Sequence, residues 1–276
     1  MSVQQQVQAV VEQAPGTFGI YARNLGTTET VEINADEVMS AESAAKVFIL
    51  LYYRQLVTSG ACDPKQRVQL TKGDQYFGTG VLRYLDEGLQ PTLGDLAWLM
   101  IIVSDNAATA MLLQALAAQS GADADQSVVN LAMQELGLAS AELNPTITVE
   151  TAMAGARFAS ATPRDLAEAF TFLDEPAKEI LFRQQDLISL PRRLPHMAMA
   201  TDVDVEMPLR VYNKTGTGMG TCIDSGLFET SNASWIVAAM AADQTDFASR
   251  ADDAAPTAFA RIGELLYDAW GGVAPG

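Results

Sequence analysis

Apolar side chains recur at helical spacing over the first fourteen residues and stop before Pro15, which predicts an amphipathic helix. Residues 18–25 and 30–33 are two β-type segments joined by a Gly-containing turn, and they predict a β-hairpin. Residues 43–57 are apolar on almost every side, which is typical of a central, fully buried helix rather than a surface helix.

The stretch from residue 60 to 200 is mostly helical in pattern. One helix is opened by Thr162 as the N-cap, with Pro163 at the first helical position and Asp165 near the positive end of the helix dipole. The chain then returns to β-type segments and ends in an amphipathic helix. The other predicted elements are helices at 93–103, 107–119 and 125–136, strands at 209–214, 225–229 and 235–240, and a last helix at about 255–270.

This order predicts an α/β protein of the α+β type, in which strands from both ends of the chain form one five-stranded antiparallel sheet. The terminal helices flank the sheet, and an all-helical insert packs against it. We divide the chain into residues 1–38 (helix and hairpin), 39–202 (helical part) and 203–276 (three strands and the last helix, completing the sheet).

Composition narrows the possible functions. The 276 residues are 49% hydrophobic and 18% charged, as expected of a folded globular protein. There are 34 Asp and Glu against 17 Lys and Arg, and the net charge of −17 disfavours nucleic acids and anionic membrane surfaces as partners. A single histidine, His196, leaves little basis for a metal site, and we expect neither metal nor cofactor. A hydrolase with this composition would use a lysine or a carboxylate to move protons.

The longest apolar run, residues 96–103, is far shorter than the roughly 20 residues of a membrane-spanning helix. The first residues lack the features of a secretion signal, so the chain as given is expected in the cytoplasm, or outside it if a signal was removed. Cys62 and Cys222 are too few for a disulfide framework and are expected to be unpaired thiols. We expect a monomer.

Three short motifs could carry chemistry. The first is Ser43-Ala44-Ala45-Lys46, at the predicted start of the buried helix. Residues three apart on a helix share a face, so the Lys46 amine can reach the Ser43 hydroxyl and, with a lowered pKa, act as a base. The alternative is an N-capping serine with a solvated lysine. The apolar residues 47–51 disfavour it, because burying an amine without partners costs free energy.

The second motif is Ser104-Asp105-Asn106, between the apolar run and the next helix. It is either a helix cap, since all three residue types are good N-caps, or a loop that delivers a hydroxyl and an amide to the Ser-Lys pair. The third is Lys214-Thr215-Gly216-Thr217-Gly218, at the end of a predicted strand. It offers a ligand a cation, hydroxyls and backbone N–H groups, or it is only a strand end before a turn.

In this order the motifs resemble those of the penicillin-recognising serine hydrolases, specifically the class A serine β-lactamases, whose signature is Ser-x-x-Lys, Ser-Asp-Asn and Lys-Thr/Ser-Gly. The resemblance also covers the N-terminal hairpin, residues 78–82 and 93–96, and the helix start at Thr162, so it extends over nearly the whole chain. It implies the β-lactamase/transpeptidase fold, acyl-enzyme chemistry and a β-lactam substrate, with the family's links to antibiotic resistance and β-lactam catabolism.

Carried over by residue, the resemblance implies that Ser43 is the nucleophile, that Lys46 relays its proton, and that Ser104 passes a proton to the leaving nitrogen. The N–H groups of Ser43 and Thr217 would form an oxyanion hole. The implied substrate-binding residues are Asn106, for the substrate's side-chain amide, and Lys214, Thr215, Gly216 and Thr217, for its carboxylate and carbonyl oxygen.

Two departures from the family pattern concern the later steps. The glutamate that activates water for deacylation, expected as Glu-x-x-x-Asn, is not legible between residues 136 and 163, where the acids are Glu142 and Glu150. Glu150 is the better-placed candidate, and an ordinary carboxylate is the alternative. In the strand where many members carry a carboxylate-binding arginine, this chain has Asp224. Arg192 and Arg193 either reach the cleft or lie in a solvated loop, and His196 is expected to be structural or at the surface.

Three hypotheses follow. The first is a β-lactam-hydrolysing serine enzyme of class A type. The second keeps the fold and the nucleophile but acts on another acyl substrate, an ester or a peptide. The third is a penicillin-binding protein that is acylated and deacylates slowly.

Overall fold

The computed structural model describes residues 1–75, 77–120, 127–144, 157–195, 208–246 and 248–271. Its helices are α1 (Val3–Gln13), α2 (Lys46–Thr58), α3 (Leu93–Ile102), α4 (Asn106–Ser120), α5 (Ser127–Glu135), α6 (Pro163–Glu168), α7 (Glu175–Phe182) and α8 (Ala254–Trp270). Its strands are β1 (Thr17–Asn24), β2 (Thr30–Ile33), β3 (Met39–Ser40), β4 (Glu142–Leu143), β5 (Ala159–Ala161), β6 (Arg210–Gly218), β7 (Thr221–Glu229) and β8 (Ser234–Ala242). Short 3₁₀ turns cover Glu42–Ala45, Lys72–Asp74, Leu82–Tyr84 and Ala169–Phe172.

The main sheet has five strands in the order β2-β1-β8-β7-β6, and every neighbouring pair is antiparallel. Strand β1 pairs with β8, so the two ends of the chain meet in the middle of the sheet. This confirms the predicted five-stranded antiparallel sheet and its assembly from both ends of the sequence.

Successive residues of the central strands serve two different cores, because side chains alternate between the faces of a sheet. On one face, Ile20 and Val237 pack with α1 and α8 through residues such as Val7 and Phe259. On the other face, Tyr21, Ala238 and Met240 join the larger core of the helical part. Both faces are therefore covered, which explains why β6, β7 and β8 are buried along most of their length.

Helix α2 lies at the centre of the helical part, and its residues from Lys46 to Tyr53 are all buried. Fully burying one large apolar side chain contributes about 1.5–3 kcal/mol, so this helix anchors the serine motif at its start. Thr162 caps α6 and Pro163 occupies its first turn, as the sequence predicts.

The structure adds features that the patterns did not predict. A second, three-stranded sheet has the order β3-β5-β4, and its strands of two or three residues are too short to show alternation. Strand β6 continues past Lys214 to Gly218, and β7 begins at Thr221, because the Gly and Thr residues predicted as a turn instead pair across the ladder. The division at residues 38/39 and 202/203 stays a prediction.

Over the described ranges, no helix has both the length and the apolar character needed to cross a bilayer. Cys62 and Cys222 are both buried and free, in agreement with the sequence-based expectation.

Candidate active site

Ser43 lies in the 3₁₀ turn Glu42–Ala45, which runs directly into α2 at Lys46. The residue before it, Glu42, has φ of 44°, a left-handed conformation that costs free energy in a residue with a side chain and recurs at functional sites. The Glu42 carboxyl accepts a hydrogen bond from Ser40 Oγ at 2.7 Å, and burial raises its pKa. The turn thus holds the half-buried Ser43 in a constrained position.

Strand β6 packs against this turn at Gly216. A Cβ atom there would stand 2.7 Å from the backbone nitrogen of Ala44 and 3.0 Å from that of Ser43. No side chain fits in that space, which gives a physical reason for the glycine of the Lys-Thr-Gly motif. The close approach brings the edge that carries Thr217 alongside the serine turn.

Asp105 explains how the Ser-Asp-Asn motif is held. Its fully buried carboxylate accepts hydrogen bonds from the N–H of Ala108 at 2.9 Å, in the first turn of α4, and from the N–H groups of Val81 at 2.5 Å and Leu82 at 2.9 Å. Ser104 has φ of 55°, another left-handed residue. Asp105 thus caps the helix, while Ser104 contacts Lys46 and Lys214 and Asn106 contacts Lys46. That the motif delivers these groups to the Ser-Lys pair for catalysis stays a prediction.

Lys46 is 1% exposed and donates three hydrogen bonds, to Ser104 O at 2.7 Å, Ser104 Oγ at 3.1 Å and Asn106 Oδ1 at 2.7 Å. Burial lowers the pKa of Lys46 well below its usual value, the charge of Lys214 lowers it further, and Asp105 opposes both. Among the hydrogen bonds of the described residues, none joins Lys46 to the Ser43 hydroxyl. The lysine reaches instead to the Ser104 loop.

Lys214 approaches the same serine from β6. Its buried Nζ donates to Ser104 Oγ at 3.1 Å and to Thr215 O at 2.7 Å. Burial lowers the pKa of Lys214 to about 8, against the opposing effect of Asp186 and Asp224. Ser104 Oγ thus accepts from two lysines, and because a hydroxyl has two acceptor lone pairs, its own proton stays available for donation to a third group.

Both polar atoms of the Asn106 side chain already make hydrogen bonds within the protein. Its Oδ1 accepts from Lys46, and its Nδ2 donates to Phe77 O at 2.9 Å. The covering loop approaches closely at Gly78, which has φ of 99° and where a Cβ would stand 2.3 Å from Nδ2. Each of the two polar atoms thus has one partner among the described residues, which leaves one N–H of Nδ2 and one lone pair of Oδ1 for a further hydrogen bond.

Thr215 is also engaged, by a residue that the sequence patterns did not indicate. Its hydroxyl donates to Asp186 Oδ2 at 2.9 Å. Asp186 follows α7 in a polar stretch outside every motif, and no signal in the sequence alone singled it out.

The residues noted as departures from the family pattern are engaged by other groups or lie outside the described part. Asp224 faces Thr215 in the ladder, and its fully buried carboxylate accepts from Asn213 Nδ2 and from the N–H of Leu190, each at 2.9 Å. Burial raises the pKa of Asp224 to about 8. Arg192 donates to Ala251 O and Arg193 pairs with Glu264 at 3.5 Å, so both turn toward the C-terminal segment rather than the cleft.

Glu150 and His196 lie outside the described residues, whereas Glu142 is exposed on β4. Within the described ranges no group of three or more His, Cys, Asp or Glu side chains could hold a metal ion.

The sequence model of the Beta-lactamase enzyme family matches residues 2–270 of the chain. No curated protein matched it. A solved β-lactamase from Sphaerobacter thermophilus DSM 20745 is 25% identical with a TM-score of 0.81, and the alignment covers 99% of this chain and 98% of that one.

Two further solved structures share the fold. A mutant of PBP-A, solved as an acyl-enzyme complex with penicillin G, is 24% identical with a TM-score of 0.77, covering 97% of this chain and 95% of that one. A representative of class A β-lactamase from Bacteroides cellulosilyticus DSM 14838 is 19% identical with a TM-score of 0.79, covering 97% and 96%.

Proposed function

Because the chain belongs to the Beta-lactamase enzyme family, we propose that it is a serine hydrolase that opens a β-lactam amide through an acyl-enzyme on Ser43. The observation that carries the proposal is the position of Ser104 Oγ, 3.1 Å from the Nζ atoms of both Lys46 and Lys214. A hydroxyl held by two lysine side chains beside a constrained serine turn is suited to delivering a proton to a leaving nitrogen.

Acylation begins at Ser43, whose Oγ attacks the lactam carbonyl carbon while its proton passes to a base. Lys46 is that base, because its lowered pKa increases the fraction of neutral amine that can accept a proton. Catalytic hydrogen bonds often tighten only when substrate binds, so the present contacts of Lys46 with Ser104 are those of the resting site.

The negative charge that develops on the carbonyl oxygen is received by backbone N–H groups. Those of Ser43 and Thr217 are the donors in this proposal, and the absence of a side chain at Gly216 lets the two backbones approach. In a comparable acyl-transfer site one such donor contributes about 2.7–4 kcal/mol to transition-state stabilisation.

The tetrahedral intermediate collapses by breaking the carbon–nitrogen bond. The proton taken from Ser43 passes from Lys46 to Ser104, and Ser104 gives its own proton to the leaving nitrogen, so the charges balance. Lys214, charged below about pH 8, stabilises the Ser104 oxygen as this transfer proceeds.

The rate of deacylation distinguishes two candidate functions. Rapid hydrolysis needs a base that activates water, and Glu150 is the candidate for that role. A second candidate function, slow deacylation as in a penicillin-binding protein, is favoured by the sequence between residues 136 and 163, which contains no Glu-x-x-x-Asn motif to supply such a base.

One time course by intact-protein mass spectrometry tests the proposal. Exposed to excess penicillin G, the protein gains the mass of one penicillin, and the Ser43→Ala variant does not. A wild-type mass that stays unchanged at every time, together with no turnover of a chromogenic cephalosporin, would overturn the proposed function.

The same time course separates the two candidate functions after excess penicillin is removed. Loss of the adduct within seconds to minutes, with turnover of a chromogenic cephalosporin, indicates a β-lactamase, whereas an adduct that persists for hours indicates a penicillin-binding protein. Glu150→Gln prolongs the adduct only in the first case.

A further inference from the structure

The leaving-group end of the site already holds a carboxylate that belongs to the protein. Asp186 Oδ2 accepts the hydroxyl hydrogen of Thr215 at 2.9 Å. In the proposed function, this hydroxyl would donate to the carboxylate that a penicillin carries next to its scissile bond. The two carboxylates compete for one donor, because a hydroxyl has a single hydrogen to give.

Asp186 is held in this position by a buried side chain. The amide oxygen of Gln184, which is 3% exposed, accepts the N–H of Asp186 at 3.0 Å, and its Nε2 donates to Ile101 O at 3.0 Å. Asn213 Nδ2 also lies 3.4 Å from Asp186 O. The backbone of Asp186 is therefore fixed to the end of α3 and to β6. Its carboxylate, besides accepting from Thr215, accepts the N–H of Ile188 through Oδ1 at 3.4 Å.

The local charges also disfavour a second anion. Lys214 is close, but its Nζ is directed to Ser104 Oγ and Thr215 O. Arg192 and Arg193 turn toward Ala251 and Glu264. A substrate carboxylate next to Thr215 would thus meet Asp186 at short range in a partly desolvated site, where like charges repel strongly.

We propose that Asp186 is a specificity-determining residue that selects acyl substrates whose group beside the scissile bond is neutral or cationic, such as an ester, an amide or an amine, over substrates with a free carboxylate there. This inference rests on the proposed function of Ser43. It adds to that function the chemical class of the group next to the scissile bond.

The test compares three lactams that differ only at this position: penicillin G, its methyl ester, and its amide with ethylenediamine, which carries a cation. The rate of Ser43 acylation is measured by intact mass at pH 7 for the wild type, Asp186→Asn and Asp252→Asn. Asn keeps an acceptor for the Thr215 hydroxyl and removes only the charge. Asp252 is exposed and contacts Arg250 at the surface, so its variant controls for the change in net charge.

In Asp186→Asn, we expect the acylation rate with the free acid to rise about tenfold or more, which corresponds to 1.4 kcal/mol. The acylation rate with the methyl ester changes less than about twofold. Acylation by the cationic amide falls several-fold. Asp252→Asn leaves all three rates at the wild-type value. Because the readout is a ratio between lactams, a general loss of folding cannot mimic it, and a thermal melt of Asp186→Asn verifies its fold.

An acid-to-ester ratio that is the same in the wild type and Asp186→Asn would overturn the inference and leave the proposed function standing. No adduct and no hydrolysis with any of the three lactams, in every variant, would overturn the proposed function, and the inference with it.

Discussion

Lys46 and Lys214 approach one oxygen atom from two different parts of the molecule. Lys46 comes from the first turn of the central helix α2, and Lys214 from strand β6 of the sheet. Both are buried, and both donate to Ser104 Oγ at 3.1 Å. Their other surroundings differ, because the remaining partners of Lys46 are neutral oxygens, whereas Lys214 lies near the carboxylates of Asp186 and Asp224.

This difference shows how two residues of the same type at the same distance can have opposite roles. Burial lowers the pKa of both, and the charge of Lys214 lowers that of Lys46 further. Two ammonium groups on one hydroxyl repel each other, so the first to lose its proton is the one with fewer acids nearby. Asp105 alone raises the pKa of Lys46, whereas Asp186 and Asp224 both raise that of Lys214. Lys46 is thereby the base, and Lys214 remains the cation.

The largest effect is expected from Lys46→Met, which fills the space but removes the amine. Loss of a positioned general base lowers acylation of Ser43 by about 10³-fold. Lys65→Met, at an exposed position, is the matched control and acylates at the wild-type rate. A Lys46→Met protein that acylates as fast as this control would assign the base to another residue.

A smaller effect, about 10²-fold, is expected from Lys214→Gln, because this change removes one charge that stabilises the transition state rather than the base. In the wild type the acylation rate rises with pH as Lys46 loses its proton, and falls above about pH 8 as Lys214 loses its charge. The rate is measured from pH 5 to 10 by the appearance of the acylated mass.

The fall of the acylation rate above about pH 8 is assigned to loss of the charge on Lys214. Lys214→Arg keeps the charge to higher pH and moves this fall upward in pH, while the rise due to Lys46 stays in place. Equal losses in Lys46→Met and Lys214→Gln, with one unchanged pH profile, would contradict the division of roles.

The smallest effect is expected from Thr79→Val, on the Lys46 side. Thr79 Oγ1 donates to Ser104 O at 2.7 Å, the same oxygen that accepts from Lys46. Removing this exposed hydrogen bond lowers the free energy of unfolding by about 1 kcal/mol, measured by urea denaturation, and acylation by a few-fold. A loss above about tenfold would mean that Thr79 positions the Ser104 loop for catalysis.

The sequence predicted the parts of the molecule that contiguous patterns encode. The five strands of the main sheet are each at least four residues long, which is enough to be recognised, and Ser43, Lys46, Ser104 and Lys214 lie in motifs of three to five residues. Their joint position, around a single hydroxyl, is what the structure adds.

The missed features depend on single contacts between distant positions. Asp186 meets Thr215, and Phe77 O meets Asn106, through one hydrogen bond each, and no local pattern of residues signals such a pair. The strands β3 and β4 have two residues each, too few for any periodicity. Glu150 stays a prediction, because it lies outside the described residues.

The pairing of β1 with β8 has a consequence for biosynthesis. The ribosome releases residues 17–24 long before residues 234–242, so the central pair of the sheet forms only near the end of translation. A nascent chain that has not reached β6 contains Ser43 and Lys46, but it lacks Lys214, Gly216 and Thr217. Ser43 is therefore synthesised long before the strand that completes its site. A truncated product would contain the serine without the residues that make it reactive.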